Sequence, residues 1–384
     1  MNIESKGVRI HVEDADEGDL ALVFLHYWGG SSRTWRLVID ALSGRSRTVA
    51  YDHRGWGRSQ APADGYTIGD LADDAQAVIA GLGLQRYVIV GHSMGGKVAQ
   101  CVAARRPQGL AGVVLVAPSP PLPMAVADEQ RLAMAHAYDS RKSIEAVLDN
   151  VLTATPIPPA LREQVIEDSL AGAPQAKAAW PQSAMREDIA EAAAGIDVPV
   201  LVIAGERDLV DSPETLRTAL LPYISHAEMD VLPGVGHLSP LEAPAGVARR
   251  IDRFVETLGA GETTPASVAA AFDTAFNAGD LERVLSLFAD GATMRMTDGE
   301  VVAGNASALR DRFRNLLSMK PHIRNTVRRS IVSGDVALVL MDWALSLTLP
   351  DGTRKTETGT ATQVMQRQQG GAWRLKISNP LGIA

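Results

Sequence analysis

The first two thirds of the chain alternate short apolar runs with longer amphipathic ones. Continuous apolar runs are typical of strands buried on both faces, and amphipathic runs of this length are typical of helices that cover a sheet. Helices are predicted at 68–82, with Thr67 as the N-cap, and at 244–258. The alternation predicts a mostly parallel sheet with helices on both faces, within a domain of residues 1–258. The predicted strands are 8–12, 21–25, 48–51, 86–90, 112–116, 198–204 and 227–232.

One segment interrupts this alternation. Residues 124–195 have the composition of helices and loops, rich in alanine, proline and charged residues, and no strand pattern. The segment lies between the predicted strands that end at Val116 and begin at Val198. An insertion at this point would lie over the carboxyl ends of the strands, where ligands bind in open α/β sheets. We therefore predict a helical cap over a binding site.

The pattern changes again near residue 259. Residues 259–265 contain two glycines, two threonines and a proline, and we predict a flexible linker there. Helices followed by long alternating strands predict a separate α+β domain over residues 266–384. The helices of this domain are predicted at 266–278, 281–288 and 305–317, and its strands at 323–331, 336–348, 353–367 and 373–378.

Composition narrows the possible partners of the 384-residue chain. A net charge of −8 disfavours nucleic acid and anionic membrane surfaces as partners. The single cysteine, Cys101, excludes an internal disulfide and a metal site built on cysteines. The first residues lack the apolar core of a signal peptide, and no run of 18 apolar residues occurs. We expect a cytoplasmic protein without a membrane-spanning helix.

Gly91-His92-Ser93-Met94-Gly95-Gly96 lies between a predicted strand and a helical pattern. This is the context of a Gly-x-Ser-x-Gly nucleophile elbow, a sharp turn that holds its serine in a strained conformation above the sheet. The glycines remove the Cβ atoms that would clash where strand and helix approach closely. The N–H of Met94 would point to the place where an oxyanion forms. The motif predicts that Ser93 is a nucleophile.

A serine nucleophile needs a base within hydrogen-bond distance. His237 is the candidate, because it follows a predicted strand in a Gly/Pro-rich loop that can present a side chain above the sheet. His226 precedes that strand, so we expect it at the opposite end of the sheet. His136 falls in the predicted cap and His322 in the second domain.

The base needs an acid that orients it, and the acid should follow a late strand. Asp208 follows the predicted strand 198–204 and is the candidate, with Glu206 and Asp211 as alternatives. The other late strand end, Ala117-Pro118-Ser119, has no carboxylate.

The second oxyanion donor should come from the loop that follows strand 21–25. That loop reads His26-Tyr27-Trp28-Gly29-Gly30. The backbone N–H of Trp28 is the candidate, and that of Tyr27 is the alternative.

Residues 8–258 resemble an α/β-hydrolase of the esterase and haloperoxidase type. The resemblance implies Ser93 as nucleophile, Asp208 as acid and His237 as base, acting without cofactor or metal on a small carboxylic ester or related acyl substrate. Carbon–carbon bond hydrolysis and haloperoxidase or perhydrolase chemistry use the same triad and remain alternatives. Tyr27 departs from the family, which usually has glycine there. The resemblance rests on Leu25–Gly30, Asp52–Ser59, the Ser93 elbow, Gly205–Asp208 and Gly236–His237, in the family's order.

Residues 265–384 resemble the SnoaL-like, or nuclear transport factor 2-like, fold. That resemblance implies a curved sheet around a cone-shaped pocket, which is an isomerase or cyclase site in some members and a binding or dimerisation module in many. A homodimer through this domain is therefore an expected interaction. Asp342, expected to face inward, with His322 and Arg324, is the candidate constellation for a second site. The resemblance rests on Phe276–Asp280, a turn at Phe288–Ala292 and the ending Trp373–Pro380.

Overall fold

The chain forms two compact units, Met1–Leu258 and Gly259–Ala384. Residues 259–263 of the predicted linker lie outside the described residues. The last residue of the predicted linker, Pro265, is the first residue of a helix. The computed structural model describes residues 1–15, 18, 20–44, 46–258, 264–296, 299–303, 306–348, 354–368 and 372–382.

An eight-stranded sheet forms the centre of the first unit, in the order β1-β2-β4-β3-β5-β6-β7-β8. The strands β4, β3, β5, β6, β7 and β8 run parallel to one another. At one edge of the sheet, β1 pairs antiparallel with β2, and β2 pairs antiparallel with β4. The short, half-polar edge strand β1 is not apparent in the sequence pattern. The strands are β1 Asn2–Ser5, β2 Val8–Ala15, β3 Ala21–Leu25, β4 Arg47–Tyr51, β5 Tyr87–His92, β6 Leu110–Val116, β7 Val200–Gly205 and β8 Glu228–Leu232.

Helices cover both faces of this sheet, because its central strands are apolar on both sides. The first unit contains α1 Arg36–Ala41, α2 Ile68–Gly81, α3 Met94–Ala104, α4 Asp128–Ala135, α5 Arg141–Val147, α6 Pro159–Ala171, α7 Pro174–Gln182, α8 Ala190–Ala193, α9 Pro213–Ala219, α10 Ser239–Glu242 and α11 Pro244–Thr257. Val23 of β3 packs in a core cluster with α2 and α3, whereas its neighbour Phe24 packs in a second cluster with α1 and α11. The two clusters hold the parallel strands between two helical layers.

The helices α4 to α8 all lie between β6 and β7, in the segment for which a cap is predicted. A π-helical turn, Leu148–Leu152, follows α5. Two side chains of this segment, Tyr138 and Ser169, donate hydrogen bonds to carbonyls of Trp28 and Gly29 in the loop after β3. The segment therefore packs against the carboxyl ends of the parallel strands.

The second unit packs three helices, α12 Pro265–Ala278, α13 Leu281–Ser286 and α14 Ala306–Ser318, with a six-stranded sheet. The sheet order is β10-β9-β14-β13-β12-β11, antiparallel except between β14 and β9. The strands are β9 Phe288–Arg295, β10 Val301–Ala303, β11 His322–Ser333, β12 Val336–Thr348, β13 Arg354–Arg367 and β14 Trp373–Asn379.

The sequence expectation is wrong for the start of β9. Residues 288–292 are predicted as the end of a helix and a turn, but they belong to a strand that pairs in parallel with β14. The Asp-Gly pair there is typical of turns, and Gly291 does adopt a positive φ of 64°. Pairing with a strand more than eighty residues later overrides this local preference.

Candidate active site

Ser93 lies between the last residue of β5 and the first residue of α3, with φ 54° and ψ −116°. A non-glycine residue with positive φ is strained by about 1–3 kcal/mol. The turn is closed so tightly that a Cβ on Gly91 would lie 2.3 Å from the Gly95 carbonyl oxygen, and one on Gly95 would lie 2.5 Å from that of Leu25. Only glycine fits at both positions, and this holds Ser93 at the carboxyl end of the sheet.

Ser93, His237 and Asp208 form a continuous hydrogen-bonded chain. The Ser93 hydroxyl lies 2.9 Å from His237 Nε2, and His237 Nδ1–H donates to Asp208 Oδ2 at 2.8 Å. The residues are only 8%, 2% and 3% exposed respectively. Because Nδ1 carries the proton toward the carboxylate, Nε2 is left to accept a proton from the hydroxyl.

The charges in this chain stabilise one another. Burial alone would raise the pKa of Asp208, but His237 and the backbone N–H groups of Val210 and Asp211 hold it below its ordinary value. Burial alone would lower the pKa of His237, and the neighbouring Asp208 carboxylate outweighs this and raises it. The pair therefore keeps an ionised acid beside a histidine of increased basicity.

The other candidate acids are placed differently. Asp211 is 1% exposed, and burial raises its pKa to about 8, which favours its uncharged form. Glu206 is exposed and accepts a hydrogen bond from the Gly234 N–H at 2.7 Å. Among the described residues, Asp208 is the one of these three acids whose carboxylate accepts a hydrogen bond from the His237 ring.

The remaining candidate histidines lie away from Ser93. His136 is exposed and bonds Asp139 three residues later, and His226 is exposed with Nε2 2.9 Å from the Val198 carbonyl. His322 is exposed on β11 of the second unit. Two other histidines are buried near the site: His26 Nδ1–H donates to the carbonyl of Tyr27 in its own loop, and His92 Nε2 lies 2.8 Å from the carbonyl of His237.

The two backbone N–H groups predicted as oxyanion donors, those of Met94 and Trp28, belong to the start of α3 and to the loop after β3. Met94 is the first residue of α3, where a helix leaves its N–H without an intrahelical partner. In the loop after β3, the Trp28 carbonyl accepts from the Tyr138 hydroxyl at 2.9 Å, and the Gly29 carbonyl accepts from Ser169 Oγ at 2.9 Å. Neither N–H, of Met94 or of Trp28, donates to an acceptor among the residues that the structure describes.

Tyr27, the departure from the family pattern, is buried beside the site. Its ring lies 5.2 Å from the His92 ring, and a Cβ on Gly30 would lie 2.5 Å from it. Its carbonyl accepts from the Gly30 N–H at 3.1 Å and from His26 Nδ1–H at 2.7 Å, since His26 Nε2 already accepts from a backbone N–H. The bulky residue thus fills space next to Gly30, and its carbonyl is held in a fixed orientation.

Sequence reasoning missed Glu242, which connects the histidine loop to the cap. Its carboxylate accepts from the N–H of Gly236 at 3.1 Å and from the N–H of Ala154 at 2.8 Å. The Leu238 N–H also donates to the Leu152 carbonyl at 2.9 Å. Both residues adjacent to His237 are therefore fixed to the end of the π-helical turn. A carboxylate five residues after the candidate base, at the start of an apolar run, is the signal that could have found it.

We expect Glu242→Gln to lower kcat for p-nitrophenyl acetate about tenfold. An amide can accept through one oxygen only, so its NH₂ would oppose a backbone N–H and displace the His237 loop. Losing one charge-assisted hydrogen bond costs about 1.5–3 kcal/mol, and 1.4 kcal/mol corresponds to about a tenfold rate change. Glu206→Gln is the matched control, because Glu206 accepts from Gly234 in the same loop but is exposed. Equal kcat values for the two variants would contradict the role of Glu242 in holding the His237 loop.

Of the candidate residues of the second unit, Asp342 and Arg324 line one surface depression on the sheet, and none of the three candidates lines the interior cavity. Asp342 was expected to face inward, and this is wrong: Met341 and Trp343 line the interior cavity, so the pleat of β12 turns Asp342 to the opposite face. There it pairs with Arg328 at 2.6 Å. His322 and Arg324 are exposed.

The described residues contain no group of three or more histidine, cysteine, aspartate or glutamate residues placed to hold a metal ion. They also include no helix whose length and hydropathy would allow it to cross a membrane.

Comparison with known proteins identifies both units. The family model described as alpha/beta hydrolase fold matches residues 21–154, and that of the SnoaL-like domain matches residues 268–375. A non-heme haloperoxidase from Rhodococcus erythropolis is 30% identical over 251 residues, which cover 61% of this chain and 90% of that protein. A bifunctional esterase/perhydrolase from Acinetobacter calcoaceticus is 28% identical over 281 residues, covering 65% of this chain and 97% of the relative.

Solved structures show the same fold. An esterase from Exiguobacterium antarcticum superposes with a TM-score of 0.62 at 22% identity, covering 66% of this chain and 98% of that one. These matches, together with the parallel sheet and the serine elbow, agree on one assignment. The chain belongs to the α/β-hydrolase family and carries a SnoaL-like domain after its hydrolase domain.

Proposed function

We propose that this protein is a serine hydrolase that cleaves a small carboxylic ester, or a related acyl compound, through an acyl-enzyme on Ser93. The observation that carries the proposal is the buried hydrogen-bonded chain from Ser93 through His237 to Asp208, at a strained elbow. A serine is a weak nucleophile unless a base stands within hydrogen-bond distance, and this arrangement supplies one. Relatives named as esterases support the choice of an acyl substrate.

In the first half of the reaction, Ser93 Oγ attacks the ester carbonyl carbon as His237 Nε2 takes the hydroxyl proton. The new C–O bond displaces the carbonyl electron pair onto oxygen, and the N–H groups of Met94 and Trp28 hold that oxyanion. Each such donor contributes about 10²–10³-fold to the rate. Collapse of the intermediate breaks the bond to the alcohol, which leaves with the proton from His237. The Asp208 carboxylate stabilises the imidazolium that forms in between.

The second half repeats these steps with water. His237 Nε2 accepts a proton from water as its oxygen attacks the acyl carbon, and the same two N–H groups hold the second oxyanion. The bond to Ser93 Oγ then breaks, and the serine regains the proton from His237. The products are a carboxylic acid and the free enzyme, and no cofactor is consumed.

The surroundings of Ser93 favour a small substrate. The serine is 8% exposed, and the buried rings of Trp28 and the cap residue Tyr138 stand 4.3 Å apart over the oxyanion loop. The ring of Trp56 lies 6.3 Å from that of Tyr138. Bulky aromatic side chains beside the oxyanion loop favour short apolar acyl groups over long ones.

The proposal is tested with p-nitrophenyl acetate, butyrate, octanoate and palmitate. We expect kcat/KM to be highest for the acetate or butyrate and to fall by at least about tenfold toward palmitate, which is the effect of about 1.4 kcal/mol. Absence of hydrolysis for every ester of the series would refute the proposed reaction. A preference for palmitate would refute the proposed size of the acyl group.

Perhydrolysis is the second candidate, supported by relatives named as a haloperoxidase and an esterase/perhydrolase. Hydrogen peroxide would replace water in the second half of the reaction, and its oxygen would attack the acyl carbon to release a peracid. The same acyl-enzyme serves both reactions. Peracid formation from acetate esters, followed by bromination of monochlorodimedone, measures the ratio of the two activities.

We expect kcat/KM for p-nitrophenyl acetate to fall as pH decreases, with a midpoint above 6.5. The base must be neutral to accept the Ser93 proton, so protonation of His237 abolishes the reaction. Burial lowers the pKa of His237, but the Asp208 carboxylate outweighs burial and places the pKa above the ordinary value. A pH–rate profile between pH 5 and 9 measures the midpoint. A midpoint below 6.5, or a profile that does not change with pH, would contradict the assigned pair.

A further inference from the structure

The loop of residues 26–30, which carries the Trp28 N–H, is attached to the cap by two buried hydrogen bonds. The Trp28 carbonyl accepts from the Tyr138 hydroxyl, and the Gly29 carbonyl accepts from Ser169 Oγ, each at 2.9 Å. Tyr138 is 3% exposed and Ser169 is fully buried. Both donors belong to the segment between β6 and β7, Ser169 within α6. Removing either donor would leave a buried carbonyl without this partner, which costs more than losing an exposed hydrogen bond.

The glycine between these two carbonyls explains why the loop needs donors from the cap. Gly29 has a φ of 99°, a conformation that glycine adopts readily and other residues do not. Glycine also leaves the neighbouring peptide units freer to rotate than any other residue does. The Tyr138 ring occupies the space that a side chain at this position would take, because a Cβ on Gly29 would lie 2.5 Å from Tyr138 Cζ. The cap tyrosine therefore packs against the glycine and also fixes the orientation of the Trp28–Gly29 peptide.

Fixing that peptide restricts the N–H that precedes it in the chain. A peptide unit is planar, so the Trp28 N–H turns only by rotation about the bonds on either side of its own plane. On one side, the Tyr27 carbonyl is held by the Gly30 N–H at 3.1 Å. On the other side, the Trp28 carbonyl is held by Tyr138. The Trp28 N–H thus lies between two carbonyls whose directions are set by hydrogen bonds.

The cap also holds the side chain of Trp28. The Trp28 Nε1–H donates to the Lys177 carbonyl of α7 at 3.2 Å, and the rings of Trp28 and Tyr138 are 4.3 Å apart. Lys177 Nζ in turn donates to the Tyr138 carbonyl at 3.0 Å and to that of Leu170 at 2.9 Å. Trp28 is therefore bound to the cap through its carbonyl, its indole N–H and its ring.

We propose that Tyr138 and Ser169 of the cap are positioning residues of the oxyanion hole, which hold the Trp28 N–H where the carbonyl oxygen of the substrate becomes negative. The inference rests on the proposed hydrolase reaction, in which that N–H is one of the two donors. Neither side chain acts on the reacting atoms; both act through the backbone of the loop. A misdirected donor weakens binding of the oxyanion more than binding of the neutral ester, so kcat should fall while KM changes little.

The test compares Tyr138→Phe with Tyr66→Phe in the full chain. Tyr66 is the matched control, because its hydroxyl also donates to a backbone carbonyl, that of Pro62 at 2.8 Å, in the loop before α2. We expect Tyr138→Phe to lower kcat for p-nitrophenyl acetate about tenfold with KM within about twofold of the wild type. Tyr66→Phe should keep the wild-type kcat. Circular dichroism shows whether each variant is folded, and if Tyr138→Phe is not, Ser169→Ala decides the question by the same split between kcat and KM.

Two ketones separate a role in the oxyanion hole from a general change of the pocket. Trifluoroacetophenone is attacked by Ser93 Oγ at its carbonyl carbon, its oxygen becomes an oxyanion, and the hydroxyl proton passes to His237. Acetophenone has a similar shape but stays a ketone. We expect Tyr138→Phe to raise the inhibition constant of trifluoroacetophenone about tenfold and to leave that of acetophenone unchanged.

Each other result overturns the inference. If the wild type hydrolyses the ester and Tyr138→Phe has the same kcat as Tyr66→Phe, this inference fails and the proposed reaction stands. An equal rise of both inhibition constants would show that Tyr138 shapes the pocket without positioning the donor. Absence of hydrolysis by the wild type would overturn the proposed reaction and this inference together.

Discussion

Ser93→Ala is expected to lower kcat for p-nitrophenyl acetate by at least about 10³-fold. The variant lacks the oxygen that forms the acyl-enzyme, and only the oxyanion donors and substrate binding would remain to accelerate hydrolysis by water. The backbone at 93 is already strained at φ 54°, and alanine adopts this conformation at a cost similar to that of serine. The fold should therefore survive. Steady-state hydrolysis by wild type and variant at equal concentration gives the ratio.

Ser119→Ala is the matched control for this loss. Ser119 is fully buried, its backbone N–H donates to the Ser93 carbonyl at 3.1 Å, and its hydroxyl has no partner among the described residues. It is thus a serine beside the elbow that is not in the hydrogen-bonded chain, and we expect its variant to keep most of the activity. Retention of a tenth or more of kcat by Ser93→Ala would contradict the nucleophile assignment.

Asp74→Ala is expected to destabilise the hydrolase unit by about 3–5 kcal/mol. Asp74 forms a two-point ion pair with Arg54, with Nε–Oδ2 and Nη2–Oδ1 distances of 2.7 Å, and the two side chains are 0% and 5% exposed. Alanine would leave the Arg54 guanidinium buried without its counter-charge, and its one other partner described is the Gly65 carbonyl. Urea unfolding of the full chain, followed by circular dichroism and by residual activity, measures the shift.

Glu163→Ala provides the comparison on the surface. Glu163 also forms a two-point pair, with Arg141, at a distance of 2.9 Å for one bond, but both side chains are about half exposed. Exposed pairs contribute little because water solvates each partner when the other is removed. We expect no clear shift of the urea midpoint for this variant. Similar shifts for the two variants would show that burial of the Arg54–Asp74 pair does not determine its contribution.

The sequence predicts well those features that depend on local pattern. Each strand from β3 to β8 is found within two residues of its predicted bounds, because burial on both faces demands a continuous apolar run. The order of the motifs and the strand ends that they follow predict Ser93, Asp208 and His237 as candidates, and the structure joins these three residues by hydrogen bonds. Choosing Asp208 over Glu206 and Asp211 with confidence requires coordinates, since the three lie within six residues and side-chain direction in a turn does not follow a simple period.

The sequence pattern does not predict features that depend on contacts between distant segments of the chain. The strand β9 exists because β14 pairs with it, and its own sequence favours a turn. The face of β12 that carries Asp342 depends on the packing of α12 and α14, which no local pattern contains. Glu242 joins the histidine loop to a cap segment almost ninety residues earlier. Each of these needs the tertiary structure.

The central claim is that Ser93 forms the covalent intermediate, and labelling with a fluorophosphonate tests it most directly. The wild type is incubated with the reagent until hydrolysis of p-nitrophenyl acetate stops, then digested, and the modified peptide is sequenced by mass spectrometry. The account predicts a single modified residue, Ser93, and no modification in Ser93→Ala. Modification of a different residue with loss of activity, or full activity in enzyme modified at Ser93, would contradict it.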